Sequence, residues 1–160
     1  MGLLVVLAGC ATKGGFTTTS SPTATSAPSQ VLALGQSYTT SLGNRLTAYA
    51  FERSVSTATP APSGTTPAPS GTTLVAAEVE VCAGPNPSAR TGSSPTLFFV
   101  ETEDATAHRS ITPRKTPALE VARLEPNTCE RGWVTFAIPE NSSPTNVVFI
   151  SREVAKWRIA

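Results

Sequence analysis

From residue 31 onward the apolar side chains recur at every second position, the period of a strand with one face in a core. The stretch from Thr73 to Ala83 is clearest: Val75, Ala77, Val79 and Val81 alternate with Ala76, Glu78, Glu80 and Cys82, predicting valines inward and glutamates toward solvent. Residues Arg131 to Ile138 repeat the pattern, with Val134, Phe136 and Ile138 on one face and Trp133, Thr135 and Ala137 on the other, and Pro139 ends the run because it lacks a ladder donor. A Trp133 ring buried between two sheets would make Trp133→Ala cost about 3 kcal/mol. Further strand segments are Gln36 to Leu42, Arg45 to Val55, Thr96 to Val100, Ala107 to Ile111, Leu119 to Leu124, Asn146 to Ser151 and Ala155 to Ile159. In the Arg45 segment Leu46, Ala48 and Ala50 alternate with Thr47, Tyr49 and Phe51; both faces are partly apolar, which predicts an internal strand. Short strands separated by Gly and Pro, without a helical apolar period, predict an all-β chain folded as an antiparallel β-sandwich of about 7 to 9 strands over residues 31–160.

Two segments break this pattern. Residues 59–72 are two identical copies of Thr-Pro-Ala-Pro-Ser-Gly-Thr, too short for a solenoid and expected to form a long Pro-rich loop between strands. Residues Ala11 to Gln30 are rich in Thr, Ser, Gly and Pro, with Phe16 the only large apolar side chain and Lys13 the only charge, so they read as a tether with a reach of roughly 25 Å. Ahead of it an apolar run closes on Leu7-Ala8-Gly9-Cys10. This small-residue step before a cysteine resembles a bacterial lipoprotein lipobox. The resemblance implies a signal segment at 1–9, lipid on Cys10, and a tether from 10 to 30 holding the domain to the extracytoplasmic face of the cell membrane. The apolar run is short for a signal peptide, so initiation is expected upstream of Met1. It also falls well below the roughly 20 residues of a membrane-spanning helix.

Composition narrows the function. The charged fraction is 14%, and 12 basic residues are scattered among 11 acidic ones for a net charge of +1, so no nucleic-acid footprint is expected. Once export takes the first residues, one domain of roughly 125 residues remains, enough for one core. Three cysteines stand at 10, 82 and 129. With Cys10 lipidated, Cys82 and Cys129 are left as an even pair in an oxidising compartment and are expected to form a disulfide, the alternative being two buried thiols. Closing that loop would stabilise the fold by about 4 kcal/mol. Neither cysteine has a second thiol or a histidine at ligand spacing, so no metal site and no cofactor are expected.

The lone His108 follows Glu101, Glu103 and Asp104, which leaves a Ser-His-acid triad open; yet no serine sits in a Gly-x-Ser-x-Gly elbow, and a surface histidine beside a turn is the favoured reading. The same acids lack the glycine turn of a calcium loop. Glu78 and Glu80, about 7 Å apart along a strand, are the nearest carboxylate pair, on a face where water would screen both. Asn141-Ser142-Ser143 is a formal glycosylation sequon, expected in a loop.

The stretches Leu74 to Ala83 and Cys129 to Pro139, with Gly132, Phe136 and Pro139 on the closing strand, resemble the telokin-like, immunoglobulin-like domains carried by many actinobacterial lipoproteins. These are mostly of unknown function and similar in fold to the mycobacterial immunoprotective extracellular antigen. The resemblance spans roughly Leu34 to Ile159 and implies an immunoglobulin-like sandwich at the cell surface; the duplicated proline loop departs from the family's compact connection. Two functional classes follow: a noncatalytic module that binds an envelope or surface protein, which is favoured, and a small-ligand or metal carrier with a pocket between the sheets.

Overall fold

The structure, a computed structural model, describes residues 30–55, 69–86 and 91–160. Cys10, the tether and most of the 59–72 repeat lie outside the described residues. The strands are β1 (Val31–Ala33), β2 (Ser37–Thr39), β3 (Arg45–Glu52), β4 (Thr72–Cys82), β5 (Thr91–Ser93), β6 (Phe98–Thr102), β7 (Ala107–Ile111), β8 (Ala122–Leu124), β9 (Cys129–Pro139), β10 (Pro144–Ile150) and β11 (Val154–Arg158). Nine of them form one ladder in the order β1-β11-β10-β6-β7-β9-β4-β3-β2, while β5 and β8 pair as a separate ribbon. Pairing is antiparallel throughout the ladder except between β1 and β11.

Strand β7 turns this ladder into a sandwich. Its residues Ala107, His108 and Arg109 pair with β6, whereas Ser110 and Ile111 pair with β9, so the chain leaves one layer and enters the other within a single strand. The β1-β11-β10-β6 layer therefore packs over the β9-β4-β3-β2 layer, and one core takes Val75, Val79, Val134 and Phe136 from the second layer and Phe98, Val147, Phe149 and Trp157 from the first. Phe98 meets Phe149 edge to face, with ring centroids 5.4 Å apart. The Trp157 indole N–H donates to the Gln36 carbonyl at 2.8 Å, satisfying the polar atom of a fully buried ring.

The predicted faces of β4 and β9 are those observed. Three features differ. Trp133 lies outside the sandwich, on the outer face of the second layer, with Val55, Leu74, Ala76, Ile111 and Ala137, and the tryptophan between the layers is Trp157. In β3 the register shifts between Ala48 and Ala50, so Tyr49 is an extra residue and the face parity reverses: Leu46 and Ala48 point inward, and so does Phe51. Of Leu119 to Leu124 only β8 is a strand. The preceding Pro117 to Leu119 is a strap on β9, with the Trp133 N–H donating to the Pro117 carbonyl at 2.8 Å and the Leu119 N–H to the Trp133 carbonyl at 3.0 Å. It occupies the edge of β9 that β7 vacates after Ile111.

Candidate functional site

The outer face of the second layer holds four of the residues that sequence singles out, Glu78, Glu80, Cys82 and Cys129. Glu78 and Glu80 project from β4 away from the valines, opposite Trp133 and Arg131 of β9. Arg131 Nε donates to Glu78 Oε1 at 3.0 Å, and its guanidinium lies 3.9 Å from the Tyr49 ring centroid. The Tyr49 hydroxyl donates to Glu80 Oε1 at 3.1 Å, and the Arg45 guanidinium stands 3.9 Å from the same oxygen. The two carboxylates are thus not a solvated pair. Their side chains are only 23% and 16% exposed, and each is committed to separate donors, an arrangement that depends on the Tyr49 bulge. At the end of this face Cys82 and Cys129, direct cross-strand partners, are joined by a disulfide, with Cys82 buried and Cys129 exposed. Farther along, Lys115 Nζ sits 4.0 Å above the Trp133 ring and pairs with Glu52.

The His108 group divides between two places. Glu101 accepts from Lys156 Nζ at 2.9 Å and from Asn146 Nδ2 at 2.7 Å, stitching β6, β10 and β11 together. Asp104 instead closes the β6–β7 turn: Thr102 Oγ1 donates to its Oδ1 at 2.6 Å, Thr106 Oγ1 to its Oδ2 at 2.7 Å and the Thr106 N–H to Oδ1 at 3.1 Å. These bonds, Thr102's first, push the Asp104 carboxyl down to about 2. His108 Nε2 lies 3.2 Å from the Thr102 hydroxyl, and Glu103 donates its N–H to the Ser143 carbonyl at 3.1 Å. The group is a hairpin turn and a cross-strand ion pair. Asn141 is exposed in the turn between β9 and β10.

A feature with no sequence signal is a cleft of about 820 Å³ at one end of the sandwich, lined by Ser41, Leu42, Asn44, Leu97, Arg152 and Glu153 among others. Glu153, in the turn after β10, accepts from the Tyr38 hydroxyl at 2.8 Å, from the Ser41 N–H at 3.0 Å and from the Ser41 hydroxyl. The Ser41 bonds hold its carboxyl below the usual range, and Glu153 in turn raises the Tyr38 hydroxyl. Asn44 Oδ1 accepts from the Gly84 N–H at 2.9 Å and from Thr91 Oγ1 at 2.8 Å, fixing the other wall. Leu42 on the rim is 53% exposed. Val31, the first residue of β1, lines a smaller depression beside Pro144, at the start of β10, whereas the cleft lies beside Ser151, just past the end of β10. β1 runs parallel to β11, from Val31 opposite Lys156 to Ala33 opposite Arg158, so its first residue lies on the side of the β10–β11 turn that lines the cleft.

No family model matches the chain, and no curated protein matches it in sequence. Among solved structures it is similar to MPT63, a secreted protein from Mycobacterium tuberculosis, with a TM-score of 0.62 and 18% identity over 84% of this chain and 100% of that one. It is also similar to YcdA, a candidate lipoprotein from Bacillus subtilis, with a TM-score of 0.55 and 7% identity over 77% of this chain and 38% of that one. An uncharacterized β-sandwich protein from Clostridium difficile aligns with a TM-score of 0.48 and 10% identity. The likeness to MPT63 is one of fold.

Proposed function

We propose that this chain is a noncatalytic interaction module, carried on the extracytoplasmic face of the cell membrane by lipid on Cys10 and presenting its cleft to an envelope or surface protein. The observation that carries the reading is that the groups most able to do chemistry are tied into the fold: Glu78 to Arg131, Glu80 to Tyr49, Glu101 to Lys156, and His108 and Asp104 to Thr102. The space between the layers is filled by Trp157, Phe98 and Phe136, each with no measurable exposure, which disfavours the carrier reading. A secreted neighbour and a candidate lipoprotein neighbour support an extracytoplasmic place, in line with Leu7-Ala8-Gly9-Cys10 and the tether. Exposed Leu42 and Arg152 stand on the rim of the cleft as an apolar and a basic contact for that partner.

The test is crosslinking in intact membranes with wild type, a Leu42→Asp/Arg152→Glu double variant and, as control, a Glu140→Arg variant in the exposed turn after β9, away from the cleft. One partner protein is expected with wild type and the control, and is expected to be lost with the double variant. Equal capture by all three chains contradicts docking at the cleft.

A further inference from the structure

Glu80, Cys82 and Cys129 meet at one end of the outer face of the β9-β4-β3-β2 layer, where a carboxylate oxygen and two sulfurs lie within 4.8 Å of one another. The topology forces this meeting: Glu80 and Cys82, two apart on β4, share a face, and Cys129 is the cross-strand partner of Cys82. Sequence spacing hides it, because Cys82 and Cys129 are 47 residues apart. We infer that, in the dithiol state, Cys82, Cys129 and Glu80 form a three-ligand site for a borderline-soft divalent cation of the zinc class.

Geometry and charge both fit that ion. Metal–sulfur bonds of about 2.3 Å and metal–oxygen bonds of about 2.0–2.2 Å put tetrahedral sulfur and oxygen ligands about 3.5 Å apart. Glu80 Oε1 and Cys82 Sγ already stand 3.4 Å apart. Two thiolates and a carboxylate carry three negative charges, which a dication and the Arg45 guanidinium together balance; Arg45 Nη2 lies 3.4 Å from Cys82 Sγ and 3.9 Å from Glu80 Oε1. Thiolate ligands select zinc over magnesium or calcium. The fourth position is left to water.

Access to the dithiol state follows from exposure. A thiolate of a dithiol reductant attacks the Sγ of Cys129, the exposed residue of the pair; the Cys82–Cys129 bond breaks and its electron pair leaves on Cys82 Sγ as a thiolate beside Arg45. The reductant's second thiolate then attacks its own sulfur in the mixed disulfide, releasing Cys129 as a thiolate. The reductant is oxidised to a disulfide by two electrons, its two thiol protons pass to water, and the cation binds both new thiolates.

The experiment uses the full chain carrying Cys10→Ser, so that a third thiol does not contribute, reduced with a phosphine and titrated with cobalt(II). It reads the thiolate-to-cobalt charge-transfer band and the far-ultraviolet circular dichroism together. The expected result is saturation at one cobalt per chain with a β-sheet spectrum, affinity weakened about tenfold or more by Glu80→Gln, loss of the band with Cys129→Ser, and no band before reduction. The inference is overturned by the absence of a band at stoichiometric cobalt, by equal affinity in Glu80→Gln, by an equal band in the unreduced chain, or by a reduced chain that has lost its β-sheet spectrum and does not recover it with cobalt.

Discussion

Trp157 and Trp133 show how two side chains of one type carry different loads. Trp157 is enclosed between the layers and donates to the Gln36 carbonyl, so Trp157→Ala leaves a cavity as well as an orphaned acceptor, at an expected cost of about 3–5 kcal/mol. Trp133 is half-buried on the outer face under Lys115, so Trp133→Ala loses partial burial and a cation–π contact worth about 0.5–1 kcal/mol, for a smaller total of about 1–2 kcal/mol. Denaturant midpoints of the two variants decide the assignment, and equal losses would contradict it. Asp104 gives a prediction in pH. Its folded pKa of about 2 lies below the ordinary 3.8, so its hydrogen bonds contribute stability fully above the ordinary value and lose it as pH falls from about 4 through about 2. Thr102→Val removes the strongest donor to Asp104 and should raise its midpoint, read by carboxyl NMR titration; an unchanged midpoint would contradict this account.

Among the elements, the strap on β9 depends on one glycine. A Cβ at Gly132 would overlap the Ala118–Leu119 peptide backbone, which cannot swing aside as a flexible side chain would. Gly132→Ala is therefore expected to cost about 3 kcal/mol, the upper range of overpacking, and to lift the strap; faster amide exchange at Leu119 and Trp133 is the measurement, and unchanged protection there would contradict it. The faces of β4 and β9 were legible in the sequence because valine and phenylalanine alternation is a local signal. The bulge at Tyr49 was not, since an inserted residue alters the register without altering the composition. Thr91-Gly92-Ser93 carries no apolar alternation, yet forms β5 because β8 offers a partner edge. Leu119 to Leu124 alternates like a strand, but the prolines at 113 and 117 supply no ladder donors, and β9 accepts the segment only as a strap.

At the scale of the whole molecule, the chain closes its sandwich by moving β7 from one layer to the other and fastens the layers at the cleft end through Tyr38, Ser41 and Glu153. Those contacts join residues 112 to 115 positions apart, and nothing local in Ser151-Arg152-Glu153 announces them. The cysteine pair, by contrast, was legible by counting, while the carboxylate beside it became visible only once the strands were in register. The proposed place at the membrane rests on lipid at Cys10. Fractionating cells that export the full-length chain, wild type against Cys10→Ser, tests that claim most directly, because stable anchoring takes two or more acyl chains and the variant can carry none at that position. The account predicts wild type in the membrane fraction and Cys10→Ser in the soluble fraction; identical fractionation of the two would contradict it.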